Sequence, residues 1–212
     1  MTAHDATPLL VAAWRTAWSD LCLAAPPTAV LDSLLARWAE PHRRYHTRQH
    51  LGECLSTFER HRALAERPGE VAVALWFHDA VYDTHRHDNE AESAAWAGRV
   101  LREAGAPAAV ASRVEALVLA TRHSVPAATP DERLLVDIDL AVLGADATRF
   151  DEYDRQIRDE YGFVPEALYR DKRGEVLRGF LARPAIFATP AFAARFERPA
   201  RDNLARALAR LA

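Results

Sequence analysis

The stretch VAVALWFHDAVYDTHRHDNE, Val71 to Glu90, constrains this chain more than any other. Val71 to Phe77 is an unbroken apolar run, and it stops at an imidazole and a carboxylate, His78 and Asp79. A helix apolar all round is a buried one. A charge at its end is desolvated and costly unless it is paired. A partner is therefore implied, and a metal ion is the partner that imidazole plus carboxylate commonly serve. Adjacent helix residues point about 100° apart, so both side chains reach one ion only if it lies at the helix end, off the axis. The competing account has His78 capping the helix and Asp79 pairing with an arginine.

The rest of the chain supports an all-α fold. Apolar residues recur at helical spacing, and no stretch alternates with β-branched residues between turn signals. A first helix starts at the Thr7–Pro8 pair and stops before Pro26–Pro27. Others are expected over about Thr28 to Glu40, Arg48 (capped by Thr47) to Glu66, Glu70 to Val81, Asp88 or Asn89 to Ala104, and Pro107 to Thr121. HSVPAATP is a loop. Further helices run over about Pro130 to Leu143, Asp146 or Thr148 to Gly162, and Pro165 to Arg183, with a last one from Pro190 that must tolerate or kink at Pro199. The expectation is one compact domain over residues 1–212 with about ten helices. N-terminal helices are expected in 7–40 and C-terminal helices in 165–211, on either side of the segment 45–161.

Composition narrows the partners. Half the residues are hydrophobic, enough for a sizeable core. A net charge of −3 and a pI near 6.3 give no reason to expect nucleic acid or a membrane surface. Lys172 is the one lysine, so a single arginine is weak evidence of phosphate binding. Cys22 and Cys54 form neither a disulfide framework nor a CxxC site, and no signal peptide or membrane span is visible. A reducing cytoplasm is the expected location.

Seven of the nine histidines fall between His42 and His87. His50 lies at the edge of the apolar face formed by Leu51, Cys54, Leu55 and Phe58. It is a ligand or a satisfied core histidine, and Cys54 on the same face reads as core filler. In RLLVDIDLAVLG, Asp137 and Asp139 interrupt an apolar helix two residues apart, so they cannot share one face. At least one faces the core and needs a cation or several hydrogen bonds. Asp139 is the preferred ligand, with Asp137 in reserve. His123 ends another apolar helix, as an added ligand, a phosphate contact or a surface residue. The other His-Asp doublets, His4–Asp5 and His87–Asp88, read as solvated or capping residues.

Together YHTRQH (Tyr45 to His50), LWFHDAVYD (Leu75 to Asp83), DNEAESA (Asp88 to Ala94), ATRH (Ala120 to His123), VDIDLAVLG (Val136 to Gly144) and IRDEY (Ile157 to Tyr161) resemble the HD-domain metal-dependent phosphohydrolase superfamily. The likeness is to a bacterial group described as predicted HD-superfamily hydrolases. It spans about Tyr45 to Tyr161, which it implies is the metal-site core, about 45–161, and it continues weakly through Tyr169, Arg173 and Asn203. The set in this order is specific, and no single piece is. The resemblance implies a compact helical fold with a metal held by H…HD…D: His50, His78, Asp79 and Asp139. It implies one divalent transition metal (Mn, Fe, Zn, Co or Ni, with Mg as a further option). His85, His87, His123 and Asn89–Glu90 are what a second metal would have to use.

The implied chemistry is hydrolysis of a small phosphate ester or nucleotide by water that the ion activates. Asp79, His123, Arg48 and Arg158 are the candidate catalytic residues, the last three as donors to developing charge. Glu90 and Glu160 could orient a ligand histidine, and Tyr45 and His46 could line the mouth. For these residues structural pairing or packing is the rival account. The alternative function is a nucleotide- or phosphate-binding regulatory module with little or no turnover. A helical interaction protein without a site, and two-iron oxygen chemistry, stand further back.

Overall fold

A computed structural model of the chain describes residues 6–123 and 126–211. The His4–Asp5 doublet, the side chain of Thr7, and Ser124 and Val125 of the HSVPAATP loop lie outside the described part. Among the described residues the regular elements are ten α-helices and two 3₁₀ segments, with no strand. None of these helices is long and apolar enough to cross a membrane. By packing, the chain comprises two compact units, Met1–Leu135 and Val136–Ala212, described in turn.

The first unit contains α1 (Ala6–Asp20), α2 (Thr28–Arg37), α3 (Arg48–His61), α4 (Pro68–Phe77), α5 (Asn89–Glu103), α6 (Ala108–Ala120) and the start of α7 (Pro130–Asp139). Its centre is α4. Every residue from Gly69 to Phe77 is buried, and α1, α3, α5 and α6 all pack on it. Trp14 of α1 meets Trp76 edge-on at 5.2 Å, and Phe77 meets Trp96 of α5 at 5.5 Å. Each fully buried side chain of α4, such as Phe77, contributes roughly 1.5–3 kcal/mol through the hydrophobic effect.

The start of α4 shows why so apolar a helix has a defined register. Pro68 occupies its first turn, where a missing N–H costs nothing. The Asp131 carboxylate accepts the backbone N–H groups of Glu66 and Arg67 at 2.8 and 3.1 Å. Glu70, buried in the first turn, takes a bidentate pair from Arg113 of α6.

The far end of α4 differs from the sequence expectation. The helix stops at Phe77 rather than near Val81. The Val81 N–H, which a helix reaching Val81 would give to the Phe77 carbonyl, goes to Ser93 Oγ at 3.0 Å, and the Ala80 N–H takes that carbonyl instead. The turn that follows is held by Arg43, a buried arginine in the loop before α3. Its guanidinium donates to the carbonyls of Asp79 at 2.7 Å, Ala80 at 3.1 Å and His46 at 3.2 Å. It thus satisfies carbonyls of the turn after the helix, which have no intrahelical partner. Likewise α3 ends at His61 and tightens into a 3₁₀ turn over Arg62–Leu64, short of Glu66. Its start is as expected, with Thr47 Oγ1 accepting from Gln49 N at 3.3 Å.

The second unit holds the end of α7, a 3₁₀ segment (Leu140–Gly144), α8 (Ala147–Glu160), α9 (Glu166–Ala182) and α10 (Pro190–Leu211). The expected helix from Pro130 to Leu143 changes at Asp139 from α to 3₁₀ winding. Asp146 caps α8 by accepting from Arg149 N at 3.1 Å. α10 packs on the 3₁₀ segment, α9 and α8, and it runs unbroken through Pro199. Asn203 of α10 donates to the carbonyls of Leu143 and Ala145, both at 2.9 Å, and so ties down the end of the 3₁₀ turn.

Candidate metal centre

The site is built where the C-terminus of α4 meets the N-terminus of α3. Thr47 fixes the first turn of α3, so His50 sits near the helix start and turns inward, 2 % exposed. His78 follows the last residue of α4 directly and is 1 % exposed. Its Nδ1 donates to the Leu75 carbonyl at 2.8 Å. A carbonyl only accepts, so the proton is on Nδ1 and the Nε2 lone pair is left for another purpose. That lone pair faces His50 Nε2 at 3.2 Å. Asp79 completes the corner. Its Oδ2 lies 3.3 Å from His78 Nε2 and 3.9 Å from His50 Nε2.

These separations can be tested against a metal ion. Nitrogen and oxygen ligands sit about 2.0–2.2 Å from zinc and similar ions, so two of them at ordinary bond angles stand about 3.0–3.6 Å apart. Two of the three donor separations fall within that span, and the third is slightly wider. The donors are two imidazoles and one carboxylate, deeply placed, with one tautomer already fixed by a backbone carbonyl. They fit a divalent ion.

Around them lies an aromatic wall. Trp38 donates through Nε1 to the Trp76 carbonyl at 3.1 Å, and its ring lies 5.4 Å from the His78 ring. Tyr45 packs on His50 at 4.7 Å. His46 stacks on Tyr82 at 4.1 Å, and its Nε2 comes within 3.9 Å of Asp79 Oδ2. Arg43 lies between the rings of Trp38 and Tyr82, 5.4 and 5.3 Å from their centres. It joins the loop carrying Tyr45 and His46 to the turn carrying Asp79. Sequence reasoning passes over Arg43, because in PHRRYHT nothing separates it from Arg44.

Cys54 stands one helical turn after His50 on the same face of α3, buried, with Sγ 3.7 Å from His50 Nδ1 and 3.8 Å from Nε2. One ligand atom each from His50, Cys54 and His78 lie within 4.8 Å of one another.

Other candidates are placed differently. Arg48 follows the rival account, structural pairing. Both Nε and Nη2 donate to the Leu35 carbonyl, at 3.0 and 2.8 Å, so its guanidinium ties α3 to α2. Arg158, in the second unit, is spent in the same way. It donates to the carbonyls of Tyr161 and Val164, pairs with Glu166, and stacks on Tyr169 at 4.5 Å. Beside it burial pushes the Tyr169 hydroxyl up to about 12, and Arg173 pairs with Asp154 at 3.0 Å. Glu90 faces Arg122 at 3.8 Å, whereas Glu160 is buried in α8. His123 sits half-buried after α6 in the left-handed region, at φ 53°.

The loop Ala80 to Asp88 is internally braced. Asp83 and Asn89 exchange hydrogen bonds, with the Asn89 side chain accepting from Asp83 N and donating to Asp83 O. His85 and His87 are exposed on it. Asp88 stands at the start of α5 without capping it, because its carboxylate pairs with Arg86 at 2.7 Å.

Asp137 is removed from the ligand set. It has no exposed surface, and its two oxygens accept the backbone N–H groups of Ala188 and Thr189 at 2.8 and 2.7 Å. Burial pushes its carboxyl above the usual carboxylate range, while those two bonds pull the other way. Asp139 is the last residue of α7, in the second unit.

No protein-family model, curated protein or solved structure matches the chain.

Proposed function

We propose that this protein is a metal-dependent phosphohydrolase of the HD kind, acting on a small phosphate ester or nucleotide. The observation that carries the reading is the convergence of His50 Nε2, His78 Nε2 and Asp79 Oδ2 within 3.2–3.9 Å, in a chain whose motifs follow the order H…HD…D. Asp139 is the proposed fourth ligand, on the sequence pattern and on the removal of Asp137. A divalent ion held by these residues would act as a Lewis acid towards a phosphoryl oxygen and would activate water as the nucleophile.

The chain's own residues do the rest. The Leu75 carbonyl keeps the proton of His78 on Nδ1, so Nε2 presents its lone pair. Arg43 holds the carbonyls of Asp79 itself and of Ala80 after it, which limits the carboxylate's range of positions. The Trp38 ring beside His78 excludes water from one side. His46, half-buried beside Asp79, is the proposed group that passes a proton from Nε2 to the leaving oxygen.

One observation favours a second reading, a phosphate- or nucleotide-binding module with little turnover. The guanidinium groups of Arg48 and Arg158, both expected to stabilise developing charge, are bonded to backbone carbonyls instead. The two readings separate in a screen of phosphomonoesters, nucleotides and cyclic nucleotides with Mn²⁺, Mg²⁺, Co²⁺ and Fe²⁺. The hydrolase predicts metal-dependent release of phosphate or of the ring-opened product. It also predicts that Asp79→Asn lowers turnover roughly 100-fold or more, equivalent to about 3 kcal/mol of lost transition-state stabilisation. Binding of the same compounds without turnover would establish the module.

A further inference from the structure

We propose that Glu40 is a positioning residue of the metal centre. Acting through Arg43, its carboxylate neutralises the buried charge behind Asp79, so that the site still takes a divalent cation. The inference rests on the metal reading above and adds a residue outside the ligand set.

Arg43 poses an electrostatic problem. Its side chain has no exposed surface, and a guanidinium stays charged at any working pH. It donates to the carbonyl of Asp79 at 2.7 Å. It also stands 5.4 Å from the centre of the Trp38 ring, which packs beside His78. The carbonyls of His46, Asp79 and Ala80 satisfy its N–H groups but leave its charge in place. A fixed positive charge beside a ligand opposes the arrival of a second cation, and burial enlarges the opposition.

Glu40 supplies the opposite charge. It lies between α2 and α3, where Glu40 N donates to the Arg37 carbonyl at 3.2 Å and Arg43 N to the Glu40 carbonyl at 3.1 Å. These two successive turns bring the three side chains together. Glu40 Oε2 accepts from Arg43 Nε at 3.1 Å, and Oε1 accepts from Arg37 at 2.8 Å. Arg37 is exposed, so solvent screens its charge. His42 Nε2, 3.8 Å from Oε2, donates to the Tyr82 carbonyl. The turns alone would shape this loop. What the carboxylate adds is charge, directed at the one buried guanidinium that touches the backbone of Asp79.

Charge and shape at position 40 can be separated. Glu40→Gln keeps the length of the side chain and an oxygen to accept from Arg43, but it removes the charge. Glu40→Asp keeps the charge. Full-length protein and both variants are titrated with Co²⁺ at fixed ionic strength, with ligand-field absorption as the readout. The expected result is bands of the same position and intensity at saturation in all three proteins. Glu40→Gln should need about 10-fold or more free Co²⁺ for half-saturation, and Glu40→Asp should bind close to the parent. Unchanged affinity in Glu40→Gln, or an equal loss in Glu40→Asp, would overturn the role of Glu40 and leave the metal reading standing. Altered bands in Glu40→Gln would also overturn it, because the ligands themselves would have moved. If Glu40→Gln does not fold, Glu40→Asp decides: parent-like binding upholds the role of the charge, and a loss of about 10-fold overturns it. The absence of bands from all three proteins would overturn the metal reading as well.

Discussion

A carboxylate with no exposed surface must find donors, and Asp137 finds two backbone N–H groups just ahead of α10. This assigns the buried member of the Asp137/Asp139 pair to structure. An amide in its place has one accepting oxygen and one donating nitrogen, so one of the two N–H groups loses its partner. Asp137→Asn should therefore cost about 1–3 kcal/mol in chemical denaturation and leave metal content unchanged. Loss of metal from this variant, with stability intact, would return Asp137 to the ligand set. His78 shows the same economy at the site itself. One ring nitrogen is engaged by the helix that carries it, and the other is presented to His50 and Asp79.

At the scale of elements, α4 is the piece that the first unit is built around. Its apolar run buries it on all sides, so its position is set by close approach of neighbours rather than by a polar face. Gly69 is the closest such approach. A Cβ there would lie 2.9 Å from the backbone of Asp20 and Leu21, at the end of α1. Backbone atoms cannot rotate aside as a side chain can. Gly69→Ala should destabilise the protein by about 1–3 kcal/mol through overpacking, despite alanine's better helix propensity. Thermal or urea unfolding reads this directly, and a stabilised variant would show that α1 can shift away from α4. Because His78 and Asp79 follow α4 without a linker, the fit of this helix also sets where they point.

Across the whole molecule, what the sequence makes legible follows from physical strength. The helical periodicity, the proline and glycine stops and the buried character of Val71 to Phe77 are local signals, and the all-α architecture follows from them. The His78–Asp79 doublet stood out because polar groups closing an apolar run demand an explanation, and His50 because it shares its face with Leu51 and Cys54. Long-range pairings were not legible. Nothing local shows that Arg43 reaches 36 residues along the chain to the Asp79 carbonyl, or that Arg48 turns back to Leu35. The end of α4 is illegible for the same reason, since the Val81 N–H finds its partner in Ser93, on α5.

The central claim is that His50, His78 and Asp79 hold one divalent ion. The most direct measurement is elemental analysis of purified protein beside His78→Ala and Asp79→Ala, with circular dichroism confirming that all three remain helical. The prediction is about one equivalent of metal per chain in the parent protein and a large loss in each variant. Parent protein that is folded, metal-free and unable to rebind Zn²⁺, Co²⁺, Mn²⁺ or Fe²⁺ would contradict the account.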